Sequence, residues 1–516
     1  MLRLLLPISA ALALAGCAAA SGGEAPPRGL AAASAETQTR AALARIERLD
    51  EGLNAVIAID PTAIEQAQAL DRSSTARGLL FGMPILLKDN IEARGPLPTT
   101  AGSLALKGNV TNRDAPLVAS LRAAGAVIVG KANLSEWANF RSSDSISGWS
   151  AVGGQTRNPH ALDRNPCGSS SGGAAAVAAG MVPAAIGTET DGSITCPAAV
   201  NGIVGFKPTL GLVSRTHIVP LSHSQDTAGP MTRSVSGAAR VLAAMAGTDP
   251  ADPGTAEADQ HRSDYVAALS TTALEGKRIG VMRFADGFGT EAPFEEALAA
   301  LRREGAILVD IDNYEMPAEM GDAEFTVLLT EFKADLNAYL ATLPSDVETR
   351  SLADLIAFNK AHGERELALF GQDTFIEAEA TKGLGDPDYV KARETSFRLA
   401  GPEGIDRLLS DYNVVALVGP TLSPAWLIDS VNGDQVPGGG AGSLAAIAGY
   451  PHLTVPMGEV KGLPVGLSFI GPKWSDALIL SLGYDYEQAT RKRVEPRFLE
   501  SIEESPEIAP LLEPVD

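Results

Sequence analysis

Residues Asn165–Pro197 read NPCGSSSGGAAAVAAGMVPAAIGTETDGSITCP. Two serine-glycine clusters, one from Gly168 to Gly173 and one from Thr188 to Ser193, flank a stretch from Ala174 to Ala179 that has no bulky side chain. Such a stretch lets backbone approach backbone, which suits a site built from main-chain groups. In the second cluster Gly192 stands beside Ser193, where successive N–H groups can converge into an anion-binding nest of the kind an oxyanion needs. Serine-glycine clusters are more often ordinary loops, and these residues alone leave both readings open.

Working outward, short apolar or β-rich runs alternate with amphipathic segments. Ala126-Val127-Ile128-Val129, Arg278-Ile279-Gly280-Val281, Ala306-Ile307-Leu308-Val309 and Val414-Val415-Ala416-Leu417-Val418 are the clearest. This alternation predicts an α/β fold, a large sheet covered by helices. Between about 320 and 410 the chain is amphipathic and rich in Ala, Leu, Glu and Lys, which predicts a helical insert or cap. No repeat and no Pro/Gly-rich interior linker is evident, so a single catalytic domain over residues 37–516 is expected. It opens on a helix marked by Leu43, Ile46, Leu49 and Leu53.

Residues 1–16, MLRLLLPISAALALAG, have one positive charge at Arg3 followed by an apolar stretch, the form of a signal peptide. Leu14-Ala15-Gly16-Cys17 resembles a bacterial lipobox, so Cys17 is the expected lipidation site. Residues 17–36 are small and polar, as a flexible tether should be. No later segment has about 18 uncharged apolar residues, so membrane association is expected only through the lipid anchor. The expected location is the bacterial cell envelope, as a periplasm-facing lipoprotein or a periplasmic protein.

The chain has 516 residues, with 41 Lys plus Arg against 63 Asp plus Glu, a net charge of −22. A field of that sign repels phosphate backbones, which argues against nucleic acid as a partner. Three cysteines exclude a disulfide-dense scaffold. No ligand cluster has zinc spacing, so no metal and no cofactor is expected.

A nucleophilic serine needs a base. None of the six histidines forms a motif with a serine. Gly168-Ser169-Ser170-Ser171-Gly172 matches GxSxG, but the nucleophile elbow needs a buried strand before it, and Ala161-Leu162-Asp163-Arg164-Asn165-Pro166 is not one. A lysine serves if burial lowers its pKa. Lys88 is the candidate, because it follows Phe81-Gly82-Met83-Pro84-Ile85-Leu86-Leu87, whereas most other lysines lie among polar residues. A lysine at the exposed end of a strand is the commoner case.

Gly82-Met83-Pro84-Ile85-Leu86-Leu87-Lys88-Asp89-Asn90, the GSSSGG cluster, the segment Gly187–Pro197 and Asp226-Thr227-Ala228-Gly229-Pro230-Met231-Thr232-Arg233 together resemble the amidase signature family. The likeness continues through Pro420-Thr421, Ala448-Gly449-Tyr450-Pro451 and Gly462-Leu463-Pro464-Val465-Gly466-Leu467, and so covers the chain beyond the tether. The resemblance implies a Ser-Ser-Lys triad with Lys88 as base, Ser169 as the bridging serine after a cis peptide, and Ser193 as nucleophile. It implies an oxyanion hole at Thr190, Asp191, Gly192 and Ser193. Many members have Gly-Gly-Ser-Ile-Arg where this chain has Asp191-Gly192-Ser193-Ile194-Thr195. That variant, with Leu134–Arg141 and Glu331-Phe332-Lys333, is similar to the bacterial peptide amidase branch, whose members remove the carboxy-terminal amide of peptides.

The resemblance therefore implies a serine hydrolase that cleaves a small amide or peptide amide through an acyl-enzyme and releases ammonia or an amine. The rival readings are a non-catalytic envelope binding lipoprotein and an esterase of the same fold. The relative that serves tRNA-dependent amidotransferases is disfavoured by the export signal and the charge. Cys167 and Cys196 flank the two active serines and are expected as buried thiols rather than a disulfide, because disulfide geometry is demanding. The oligomeric state is not legible.

Overall fold

Ile85 and Leu87 of the strand Pro84–Lys88 enter one hydrophobic layer, and Leu86 between them enters another. A strand with both faces buried belongs to the middle of a helix-covered sheet. The computed structural model describes residues 33–74 and 77–514. The leader, Cys17 and the tether up to residue 32 lie outside the described residues.

In chain order the strands are β1 Val56–Ile59, β2 Pro84–Lys88, β3 Val127–Ala132, β4 Trp149–Ser150, β5 Gly154–Gln155, β6 Ala184–Glu189, β7 Val204–Lys207, β8 Thr227–Thr232, β9 Arg278–Met282, β10 Ile307–Ile311, β11 Ala416–Pro420, β12 His452–Val460 and β13 Leu463–Ile470. Eleven of them form one mixed sheet in the order β1-β3-β2-β6-β8-β7-β12-β13-β11-β9-β10, while β4 and β5 pair separately. β2 runs parallel to both β3 and β6, so Lys88 and the residues after Thr188 leave the sheet at the same edge. In parallel sheets that carboxyl edge is where sites form. The single domain expected from the sequence is found, with residues 34–516 forming one compact unit. Among the described residues no helix is long and apolar enough to cross a membrane.

The small-residue run folds as the helix Ser171–Ala178, every residue of it buried. A side chain at Gly172 would collide with the carbonyl of Ala55 and the backbone of Asn133, so only glycine admits this close approach. The expected helical insert is present as Ala318–Leu340, Leu352–Ala361, Asp373–Glu379 and Pro387–Ala400. Two buried carboxylates dock it. Glu366 accepts from Leu104 N–H at 2.7 Å and lies 3.4 Å from the fully buried Arg141. Glu331 accepts from Ser222 Oγ, Ser224 Oγ and Tyr389 OH at 2.6, 2.8 and 2.8 Å. The second contact holds the loop that leads into Asp226.

Candidate active site

Alternation along β2 puts Lys88 on the face of Leu86, the face covered by the helix Ser171–Ala178. Its side chain is 1% exposed and meets Ser169, two residues before that helix. Lys88 Nζ lies 2.6 Å from Ser169 Oγ, 2.8 Å from Thr188 Oγ1 and 3.2 Å from the Thr188 carbonyl. Asn90 Nδ2 donates to the same Thr188 hydroxyl at 3.0 Å. The Gly168–Ser169 peptide bond is cis.

Burial pushes the Lys88 ammonium down to about 7, against the opposing pull of the Asp226 and Glu189 carboxylates. The chain has two further lysines that are equally buried. Lys131 has a carboxylate partner, Asp89, at 3.3 Å and also donates to the Ile91 carbonyl and Thr99 Oγ1. Asp89, although next to Lys88 in sequence, thus serves another lysine. Lys207 donates to the Pro208 carbonyl and is held at about 8 by burial, opposed by Glu189, Asp476 and Asp191. Lys88 is surrounded by hydroxyls and a carbonyl rather than by a bonded carboxylate, so its neutral form is well accommodated.

The second cluster forms a turn after β6. Glu189 Oε2 accepts from Ile194 N–H at 2.8 Å, Thr195 N–H at 3.0 Å and Thr195 Oγ1 at 3.3 Å, and so clamps the turn to the start of the helix Thr195–Val200. The Ser193 carbonyl accepts from Ser170 N–H at 3.1 Å, which joins the two clusters. Gly192 has φ +76°, a conformation glycine adopts without strain. Among the described residues, no protein oxygen accepts from the N–H groups of Asp191, Gly192 or Ser193. Thr190 and Ser193 are each 8% exposed, at the floor of the site. The structure therefore brings Lys88, Ser169, Ser193 and the turn 190–193 into one centre.

Three carboxyl groups around this centre escape a reading of the sequence. Asp226, in a motif that the sequence alone leaves without a role, accepts from Thr190 Oγ1 at 2.6 Å and from Leu221 and Ser222 N–H at 2.7 and 2.9 Å. Burial raises it to about 6. Asp191 is likewise raised to about 6 by burial, and Glu324 of the insert to about 8 by burial and the charge of Asp191. Gln225 Nε2 bridges Glu324 Oε1 and the Thr190 carbonyl. Thr188 is legible only as part of a polar cluster, since nothing in its spacing points to Lys88.

The thiol expectation is corrected: Cys167 and Cys196 form a disulfide. The pairing of the two serine clusters brings their Cα atoms to 6.1 Å, within the range a disulfide spans. The bond lines a cavity of about 260 Å³ together with Gly168, Asp191, Gly192, Trp426 and Ser443. A second cavity of about 380 Å³ reaches the centre past Asn90, Thr188, Thr190 and Asp226. Between them stands a turn with three successive left-handed residues, Trp137, Ala138 and Asn139, of which Ala138 lines the larger cavity and Asn139 the smaller. Among the described residues, no histidine hydrogen bond reaches Ser169, Ser170 or Ser193. His452, beside the smaller cavity, contacts Ser468 Oγ at 2.6 Å and is held neutral by burial, at about 3.

The family model described as Amidase matches residues 37–480. A peptide amidase from Stenotrophomonas maltophilia, solved as a crystal structure, is 53% identical and superposes with a TM-score of 0.85 over 90% of this chain and 96% of that one. A peptide amidase structure in complex with the competitive inhibitor chymostatin gives a TM-score of 0.86 at the same identity. A probable amidase of Arabidopsis thaliana is 41% identical over 89% of this chain and 87% of its own length. A glutamyl-tRNA(Gln) amidotransferase subunit from Pseudomonas aeruginosa is 36% identical over 89% of this chain and 94% of its own length.

Proposed function

This chain belongs to the amidase family, and from that premise we propose that it is an exported peptide amidase working through Ser193, Ser169 and Lys88. The observation that carries the mechanism is the 2.6 Å approach of Lys88 Nζ to Ser169 Oγ in a buried site that holds the lysine near neutrality. Neutral Lys88 accepts the proton of Ser169 as Ser169 takes that of Ser193, whose oxygen attacks the amide carbonyl. The open N–H groups of the turn 190–193 receive the oxyanion. In a hydrolase where one such donor was removed, the loss was about 2.7–4 kcal/mol. The proton returns through Ser169 to the departing nitrogen, ammonia leaves, and water repeats the sequence on the acyl-enzyme to give the carboxylate.

Hydrolysis of a panel of peptide amides, aryl amides and esters, read as the ammonia, arylamine or alcohol each releases, tests the substrate class. Turnover of peptide amides that disappears in Ser193→Ala is expected. Hydrolysis confined to esters, or surviving that substitution, refutes it.

Export and lipidation at Cys17 rest on the leader sequence. The Cys167–Cys196 disulfide supports export, because such bonds persist in oxidising compartments. Incorporation of labelled palmitate that is lost in Cys17→Ala checks the anchor, and its absence from the native chain removes it.

A further inference from the structure

The charge of −22 is not evenly spread. Arg45, on the first helix Ala35–Leu49, donates through Nε and Nη2 to the Met181 carbonyl at 3.3 and 3.2 Å. Arg233, just past β8, stands over the same turn, its Nη1 3.5 Å from where a Cβ on Gly180 would lie. Arg233 also lines a surface hollow with Arg491, Lys492 and Arg493. Three elements distant in sequence thus deliver their cations to one place.

Lys492 is paired with Glu296 at 2.8 Å and Arg493 with Glu495 at 2.7 Å. Among the described residues no carboxylate pairs with Arg45, Arg233 or Arg491, and Arg233 and Arg491 are exposed. The remaining acid in the hollow, Glu487, accepts from Val235 N–H at 2.8 Å, and burial raises it to about 7, which weakens its charge at neutral pH. Burial lowers both Arg45 and Arg493, and the charge of Arg233 adds to it in each, against the pull of Glu495 on Arg493. Cations after the helix Asp476–Thr490 complement its carboxyl end, which accounts for Arg491 to Arg493. It does not account for Arg45 and Arg233, which arrive from elsewhere.

We propose that this cluster docks the catalytic unit on an anionic phospholipid surface. The inference rests on the exported, anchored reading. Cys17 precedes Ser34 by 17 residues, a span of at most about 60 Å, and Arg45 lies about 16 Å along the first helix from Ser34. A tether of that reach keeps the cluster within range of the membrane, and headgroup phosphates are the anions there. Docking fixes which side of the enzyme faces the lipid, where a tether alone leaves it free to turn.

The test uses the compact unit from Ser34 onward, which contains the whole sheet but not Cys17. Co-sedimentation with phosphatidylglycerol-containing vesicles at low ionic strength is expected, with loss in high salt and no binding to pure phosphatidylcholine. The double variant Arg233→Gln, Arg491→Gln removes two exposed charges outside the catalytic centre. Its partition should fall about thirtyfold, two losses of roughly five- to sixfold each, with turnover of a soluble amide unchanged. Equal binding to both vesicle types, no binding to either, or an unchanged partition in the variant overturns docking. So does competition by inorganic phosphate at constant ionic strength, which would mark a small-anion pocket instead. Tighter retention on RNA than on vesicles would assign the surface to another partner and overturn it too. Failure of Cys17 acylation leaves this measurement intact, so the two readings fail separately.

Discussion

Lys88→Arg separates charge from basicity at the centre. Arginine keeps a long cationic side chain but does not deprotonate in proteins, so it preserves the electrostatics of a protonated lysine and removes the base. A lysine at its ordinary value of 10.5 is neutral in about one molecule in three thousand at pH 7, whereas Lys88, at about 7, is neutral in about half. Holding the ammonium at about 7 rather than 10.5 corresponds to roughly 5 kcal/mol against the charged form, in a side chain that is fully buried. Loss of a positioned general base costs about 10²–10⁴ in rate. The assay is the pH dependence of kcat/KM for a peptide amide from about pH 5 to pH 9. The native protein should lose about tenfold per pH unit below about 7, because protonation there removes the base. Lys88→Arg should be slower by about 10³ and should lack that limb. Asp226 and Asp191 at about 6, and Glu324 and Lys207 at about 8, also titrate nearby. If Lys88→Arg retains a limb near 7, one of those groups governs the rate and the assignment of Lys88 fails.

The same shift has a stability consequence. A lysine depressed in the folded state destabilises the protein by the full amount below about pH 7, and the penalty fades as pH rises toward 10.5. Lys88→Met should therefore raise Tm at neutral pH by about 1–3 °C, after about 1 kcal/mol is lost for each of three polar contacts. Calorimetry showing a lower Tm contradicts the desolvation argument. Ser170 exchanges hydrogen bonds of 3.1 and 3.2 Å with the Thr188 backbone, so Ser170→Ala should cost about 1–3 kcal/mol and less than tenfold in kcat. Fluorophosphonate labelling should survive that change and vanish in Ser193→Ala; the opposite pattern makes Ser170 the nucleophile. Replacing Cys167 and Cys196 together by alanine opens a loop with a sequence separation of 29, worth about 3–4 kcal/mol, and should lower Tm by about 3–4 °C. An unchanged Tm on replacement would show that the serine clusters hold together without the bond.

The architecture was legible because its signals are local. Phe81–Leu87 announces an apolar run, the Ala174–Ala179 stretch announces close backbone approach, and the insert shows its composition over some ninety residues. The second half of the site was not legible, because it is assembled by pairing across the sheet. Thr188 meets Lys88 only because β2 lies beside β6, and Asp226 meets Thr190 only because β8 lies on the other side of β6. The disulfide eludes the sequence for the same reason: whether two cysteines lie within reach depends on where two separate turns converge.

Lys88 itself shows where a local criterion stops. The sequence picks it out as a lysine carried out of an apolar run, yet Val127-Ile128-Val129-Gly130-Lys131 and Ile203-Val204-Gly205-Phe206-Lys207 meet that criterion as well. All three side chains are 1% exposed, so burial does not distinguish them either. What differs is the atom each ammonium finds. Burial lowers Lys131 too, but Asp89 at 3.3 Å is a counter-charge that opposes the loss of its proton. Lys207 has three carboxylates acting on it, which hold it above neutrality. Lys88 finds two hydroxyls and a carbonyl, partners that a neutral amine satisfies as well as an ammonium does. One of those hydroxyls belongs to Ser169, so the lysine best able to give up its proton is also the one placed to take another.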